Sequence, residues 1–514
     1  MIAVTSGSGP PVARAFHRLL ALVFLVAWLS LAAQIDVLIG SHGLLPVAEW
    51  LRALSVQSDV GFAELPTWLW WTSSDGAIRF GTWLGAVLAL VALLGIRPRL
   101  CFAVCLPLYL GYVVAARNFL SFQWDNLLLE AGALAVFLPA DRRARWVHVL
   151  LRLLLFKLYF ESGIAKYQSH LHDWHDGSAM RYYYETAPLP ALLGWFAHNL
   201  PLAWHAFESR ATLAWEILLP LAIFGPRRVR LFAAAALSLF QLLNIATANY
   251  GFFCYLALAL HVFLLDDADI ERGRSFFASR IHLPRLARVQ AWLERVRTLA
   301  NRTFVVIPER AQLATAVLVS SVYITLSAYL GVATFVRPAP EIETLQDLAD
   351  VAGPFRIVNT YHLFGHITRE RYEAQFQTFD GKRWAEHDMH YKPGDPARAP
   401  PYVAPHQPRV DFLLWFYGLG VRVFSARAYP PPTPQYVAVL LERLCDDPAA
   451  VQSLFESELP RAPTAVRIVF YEYRMTSYAE RAESGRWWRR TELTSTPAQR
   501  CAPSSYSQAK WPAY

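Results

Sequence analysis

The run FLSFQWDNLLLEAGALAVFL, residues 119–138, is long and apolar enough to cross a bilayer as a helix, yet it carries two carboxylates, Asp125 and Glu130. A span needs about 20 largely apolar residues. By that measure about nine runs qualify: 14–33, 78–95, 100–116, 119–138, 147–166, 208–225, 229–248, 250–265 and 312–335. Only 17% of the chain is charged, against roughly 25% in an ordinary soluble protein. The deficit sits in residues 1–336, whereas 337–514 reads as a globular sequence. The expected architecture is therefore a polytopic α-helical membrane domain, 1–336, followed by a β-rich soluble domain, 337–514. The first apolar run follows Arg14 and Arg18 as a signal peptide would, but no small-x-small cleavage site precedes a soluble region. It is read as a retained span.

Loop charges give an independent test of the span count. Cytoplasmic loops carry an excess of Lys and Arg. Arg14 and Arg18, Arg97 and Arg99, Arg142, Arg143 and Arg145, and Arg227, Arg228 and Arg230 fall in alternate loops, as does the arginine-rich stretch 266–311. That alternation places the N-terminus in the cytoplasm and the soluble domain outside it: in the periplasm for a bacterial inner membrane, in the lumen for a eukaryote. Residues 266–311 read as one or two amphipathic helices at the inner surface or as a solvated linker. The formal net charge of +8 would suit nucleic acid, but no basic stripe with interleaved aromatics is present, and nucleic-acid binding is excluded.

Within 337–514, a short helix-like piece comes first. Phe355–Phe364, Tyr372–Phe379, Trp384–Tyr391, Val466–Tyr473 and Trp487–Leu493 read as strands. Asp380-Gly381 is a hairpin signal. Residues 410–426 and 434–445 read as helices, and a β-sandwich is the expected arrangement. Of five cysteines, Cys445 and Cys501 share this domain. Whether they form a disulfide stays open.

Ionisable residues inside spans are costly and face the bundle interior. Asp125 and Glu130 lie in the fourth run, Arg152, Lys157, Glu161 and Lys166 in the fifth, and Glu216 in the sixth. Three carboxylates (Asp125, Glu130, Glu161) balance three bases (Arg152, Lys157, Lys166), which suggests a compensated network. It is either a polar site opening to the outer side or an ion-pair cluster that fixes helix register. Lys166 and Glu161, near the outer end, are the candidate catalytic pair if the site is chemical. His170, His172 and His175 with Asp173 and Asp176 have donors suited to zinc or copper. A short solvated His-rich loop is the commoner reading, and no metal or cofactor is assigned. No HExxH, GxSxG, Walker or dinucleotide motif occurs.

Several blocks carry a resemblance. Residues 119–130, with Trp124 and Asp125, Phe160–Lys166, Asp173-Trp174, Tyr183–Pro190 with Tyr184 and Glu185, and Ala248–Phe253 with Asn249 and Tyr250 resemble the lipase maturation factor family. So do Gly353–Tyr361, with Arg356 and Asn359, and Tyr391–Pro396 with Pro405–Arg409. The resemblance runs in order through both domains. It implies a non-enzymatic membrane factor, chaperone-like, that helps exported lipases or other secreted clients to fold. The Ala- and Arg-rich composition is similar to that of a bacterial member. More distantly, Gly163–Lys166 and Asp173-Trp174 are similar to a block of vitamin K-dependent γ-carboxylases. That similarity implies an alternative: a membrane enzyme using Lys166 as base on a lipid-soluble cofactor or substrate.

Overall fold

The structure, a computed structural model, describes residues 10–139, 144–280, 286–301, 308–339, 341–425 and 427–501. Arg142 and Arg143 of the third basic cluster, and parts of 266–311, lie outside the described residues. The apolar run 14–33 folds as α1 (Pro11–Ala32), with proline at its start, where a missing N–H costs nothing. Two short helices follow, α2 (Ile35–Ile39) and α3 (Val47–Gln57). Next come α4 (Asp75–Leu93), α5 (Pro98–Ala115), α6 (Gln123–Phe137) and α7 (Arg145–Tyr167). The loop after α7 holds α8 (Asp173–Asp176), α9 (Ala179–Thr186) and α10 (Leu192–His198). The chain continues through α11 (Leu202–Ala222), α12 (Arg227–Thr247) and α13 (Phe253–His261). Finally α14 (Asp267–Arg280) and α15 (Leu286–Ala300) lead to α16 (Glu309–Phe335).

Each expected span contains a helix. Five of them, α1, α4, α5, α12 and α16, are long and apolar enough to cross a membrane on their own length and composition. The others fall short for identifiable reasons. Helix α6 has 15 residues and α13 has 9, α7 carries Arg152, Lys157, Glu161 and Lys166, and α11 carries Glu208, Arg210 and Glu216. Large apolar side chains remain exposed along the helices, among them Leu218, Leu221, Phe232, Leu239, Leu242 and Leu243, as on surfaces that face lipid tails.

The C-terminal region opens with α17 (Glu343–Ala352). It continues with β1 (Arg371–Phe379), β2 (Trp384–His387), α18 (Arg409–Leu419), β3 (Arg422–Phe424) and β4 (Arg427–Tyr429). Then come α19 (Gln435–Asp446), α20 (Pro448–Val451), β5 (Ala465–Met475), α21 (Tyr478–Ser484), β6 (Trp488–Ser495) and β7 (Gln499–Arg500). One antiparallel sheet runs in the order β2-β1-β5-β6, with β7 also pairing β5, and β3-β4 forms a separate hairpin. The β1–β2 turn uses Gly381 at φ +96°, while the Asp380 side chain accepts from the Lys382 and Arg383 amides. The Ser477 capping box starts α21 between β5 and β6. Cys445 and Cys501 are disulfide-bonded.

Three expectations need correction. The helix read over 410–426 ends at Leu419, where Gly420 follows, and 422–424 is strand β3. The sheet is not one half of a sandwich, because helices lie where a second sheet would sit. Tyr417 of α18 packs edge-on against Phe470 of β5 at 5.3 Å, and a Cβ on Gly418 would stand 2.1 Å from the Tyr372 carbonyl of β1. Nor is 355–364 a strand. Its backbone N–H groups go to side chains of the helical bundle instead of to a neighbouring strand: Asn359 to Glu130, Tyr361 to Glu161, His362 to Gln123 and Leu363 to Ser162.

The close approach of α18 to β1 sets an expectation for Gly418→Val. Forcing a branched side chain against the Tyr372 backbone should cost about 1–3 kcal/mol. It should be read as a lowered thermal unfolding midpoint of the detergent-solubilised protein.

Candidate functional site

The buried acids of α6 and α7 are the centre of the structure. Asp125, in the first turn of α6, is fully buried. Arg409 of α18 holds it with both guanidinium nitrogens, at 2.6 and 2.8 Å, and the Tyr109 hydroxyl donates to it at 2.7 Å. A bidentate arginine–carboxylate pair is the strongest ionic geometry a side chain offers. Glu130, five residues on, points about 140° away around the helix, since each residue turns about 100°. It meets different donors. Lys157 (2.9 Å) and the Tyr323 hydroxyl (2.7 Å) reach Oε1. The Asn359 amide and side chain (3.0 and 2.9 Å) and the Tyr361 hydroxyl (2.7 Å) reach Oε2.

Glu161 accepts from the Tyr361 amide at 2.7 Å. Lys166 is ion-paired to Glu216 of α11 at 2.6 Å and donates to the Leu363 carbonyl at 2.8 Å. Its ammonium sits 5.3 Å from the centroid of the Trp174 ring. Gly163 makes this possible. A Cβ there would meet the Glu216 backbone at 2.9 Å, so glycine lets α11 close on α7.

The six residues expected to form one compensated network are thus distributed. Glu130 and Lys157 stand together. Asp125 takes Arg409, Lys166 takes Glu216, and Arg152 donates to the Phe263 carbonyl instead. Helix geometry gives the reason: Lys157 and Lys166, nine residues apart, face opposite sides of α7. With a carboxylate and a carbonyl on its ammonium, Lys166 is placed as an anchor, and the geometry gives no support to a base.

The other motif residues fasten the C-terminal region to the bundle. Asn249 is buried and accepts from the Val403 and Ala404 amides while donating to the Leu189, Pro190 and Pro401 carbonyls. Glu185 accepts from Arg474 at 3.0 Å and from the Met475 amide at 2.7 Å. Trp124 stacks on Phe122 and packs edge-on against Phe412 of α18. Tyr184 donates to Glu208, and Tyr250 donates to Tyr183. Arg356, at φ +55°, turns the chain so that its carbonyl accepts from Asn359. In the His-rich loop, Asp173 is buried and accepts from Ser169 and the Ile367 amide, and His175 lies against the Tyr167 carbonyl.

Arg409, Tyr323, Tyr361 and a second buried ionic group escaped the sequence reading. In that group Glu373 bridges Arg371 (2.5 Å) and Lys392 (3.0 Å), and Arg371 donates to the Glu185 and Ala187 carbonyls. Burial, opposed by Glu373, brings the Lys392 ammonium down to about 8. Nearby Asp411 accepts from the Tyr391 amide at 3.1 Å, and burial pushes its carboxyl up to about 6. Arg409 closes the Pro405–Arg409 block, but nothing in the local sequence ties it to Asp125.

Family models agree with this two-part arrangement. The transmembrane-domain model of the lipase maturation factors matches residues 12–272, and their C-terminal-domain model matches 357–497. Lipase maturation factor 2 of Gallus gallus is 30% identical over 92% of this chain and 79% of its own length. The Homo sapiens protein of that name is also 30% identical, over 92% and 80%. Lipase maturation factor 1 of Bos taurus is 29% identical over 93% and 86%. No solved structure matches the chain.

Two measurements probe these buried charges. Removing one partner of a buried pair leaves the other uncompensated, which costs about 3–5 kcal/mol. Arg409→Met alone should therefore destabilise strongly, while adding Asp125→Leu should recover most of the loss in a double-mutant cycle of unfolding midpoints. Asp411 binds its proton more tightly when folded. Its contribution is fully present below about pH 4 and is lost as pH rises through about 6. Asp411→Asn should therefore match the parent near pH 4 and exceed it at pH 8 by about 3 kcal/mol at most.

Proposed function

We propose that this chain, which belongs to the lipase maturation factor family, is a multi-pass membrane protein that assists the folding or assembly of exported lipases. Other secreted proteins are clients of the same kind. The observation that carries this reading is the match of both family models, in order, to regions that the structure joins through the buried Asp125–Arg409 ion pair. The helical bundle both anchors and positions the C-terminal region.

The alternating arginine clusters support an orientation with the N-terminus in the cytoplasm and the C-terminal region on the outer face. The Cys445–Cys501 disulfide supports the same side, since disulfides persist in oxidising compartments. In a bacterial inner membrane that face is periplasmic; in a eukaryotic membrane it is lumenal. A chaperone-like factor placed there meets clients as they fold after export.

Co-expression of the full chain with an exported, dimer-forming lipase tests the proposal. Secreted lipase activity per unit of lipase protein should rise at least severalfold over an empty-vector control, and the two chains should co-purify from membranes. Equal specific activity with and without the chain would overturn it.

A further inference from the structure

Beside the Lys166–Glu216 pair lies a cavity of about 60 Å³, walled by α7, the 174–183 loop, α11, α12 and the Leu363-Phe364 turn. Apart from Glu216 Oε2, which Lys166 neutralises as an ion pair, two polar atoms of residues that line it have no hydrogen-bond partner: the donor Trp174 Nε1 and the acceptor Gln241 Oε1. Their residues are only 1% and 2% exposed. A buried polar atom left unpaired costs about 1–3 kcal/mol, so native interiors rarely keep one. Here the residues that carry a donor and an acceptor line the same void. Gln241 is held in place by donating its Nε2 to the Tyr159 hydroxyl at 2.7 Å. Half-buried Thr212, Phe240 and Asn244 of α11 and α12 line the cavity, and neighbouring positions of the same helices expose Leu218, Leu239, Leu242 and Leu243.

A water-sized group needs roughly 10–15 Å³ by the same measure. The void therefore holds about four to six such groups, enough for a small polar head and too few for a whole lipid. The charged pair in its wall is already compensated. An anionic head would bring a net charge into a low-dielectric site, at a cost of several kcal/mol. A neutral head able to donate and accept at once satisfies both orphan atoms.

We propose that this cavity binds the hydroxyl-bearing glycerol head of a neutral acylglycerol, with its acyl chain leaving between α11 and α12 to the lipid phase. One head hydroxyl donates to Gln241 Oε1, and a head oxygen accepts from Trp174 Nε1–H. The site binds without chemistry, whichever client the protein serves.

The test uses the full chain in nonionic detergent and a monoolein analogue with a photoreactive acyl chain. Labelling should map to α11 or α12 facing Thr212–Phe240. Unlabelled monoolein or dioleoylglycerol should displace it, and the stronger of the two identifies the natural head substitution. Oleate should compete at least about tenfold more weakly. Gln241→Leu, which keeps side-chain bulk, and Trp174→Phe, which removes the indole N–H, should each weaken labelling roughly tenfold, the loss of one good hydrogen bond. Competition by oleate equal to that by monoolein would overturn the proposal. So would labelling elsewhere, or undiminished labelling of a folded variant. The competition series reads the wild-type protein, so it decides the matter even where a variant fails to fold.

Discussion

A carboxylate placed in an apolar interior must find donors or make the fold untenable. Glu130 shows how far that demand reaches. Its two oxygens collect an ammonium from α7, a phenol from α16, and an amide, a carboxamide and a second phenol from the 359–361 segment. Asp125 makes the same demand of α18 through Arg409. These acids fix the angle at which the C-terminal region meets the bundle, because each donor set has a single geometry in which it is complete. The sheet is then carried at a defined place instead of hanging from a linker.

The small residues serve the same end. Gly163 lets α11 approach until Glu216 can reach Lys166, and Gly418 lets α18 lie directly on the β1 backbone. Packing and ion pairing are coupled here: the close approach removes water, and the removal of water raises the penalty for any missing partner. Asn249 plays the matching role at the other edge, where a single carboxamide reaches Pro401, 152 residues on, and also holds Leu189 and Pro190.

The helices were readable because an apolar run of sufficient length has few alternatives. Strands β1, β5 and β6 were readable from aromatic and β-branched content flanked by turn signals. Asp125, Glu130, Glu161 and Lys166 stood out because charge in such runs is costly. Their partners were not readable. Arg409 lies 284 residues from Asp125, and no local period links such positions. The 355–364 segment has a strand's composition, yet its backbone is committed to bundle side chains, a fact that propensity does not contain. Trp174 stood out only as part of the Asp173-Trp174 block and Gln241 not at all, and neither position could announce an unpaired atom, which is defined only by what surrounds it.

The link between Asp125 and Arg409 also imposes an order of events on biosynthesis. Chains emerge at about 5–20 residues per second, so Arg409 follows Asp125 by roughly a quarter of a minute to a minute. Throughout that interval α6 sits with a carboxylate whose permanent partner does not yet exist, and Glu130 waits nearly as long for Asn359 and Tyr361. The bundle is thus a provisional assembly until the last third of the chain arrives and locks it. A product truncated before Arg409 would leave Asp125 without its guanidinium partner.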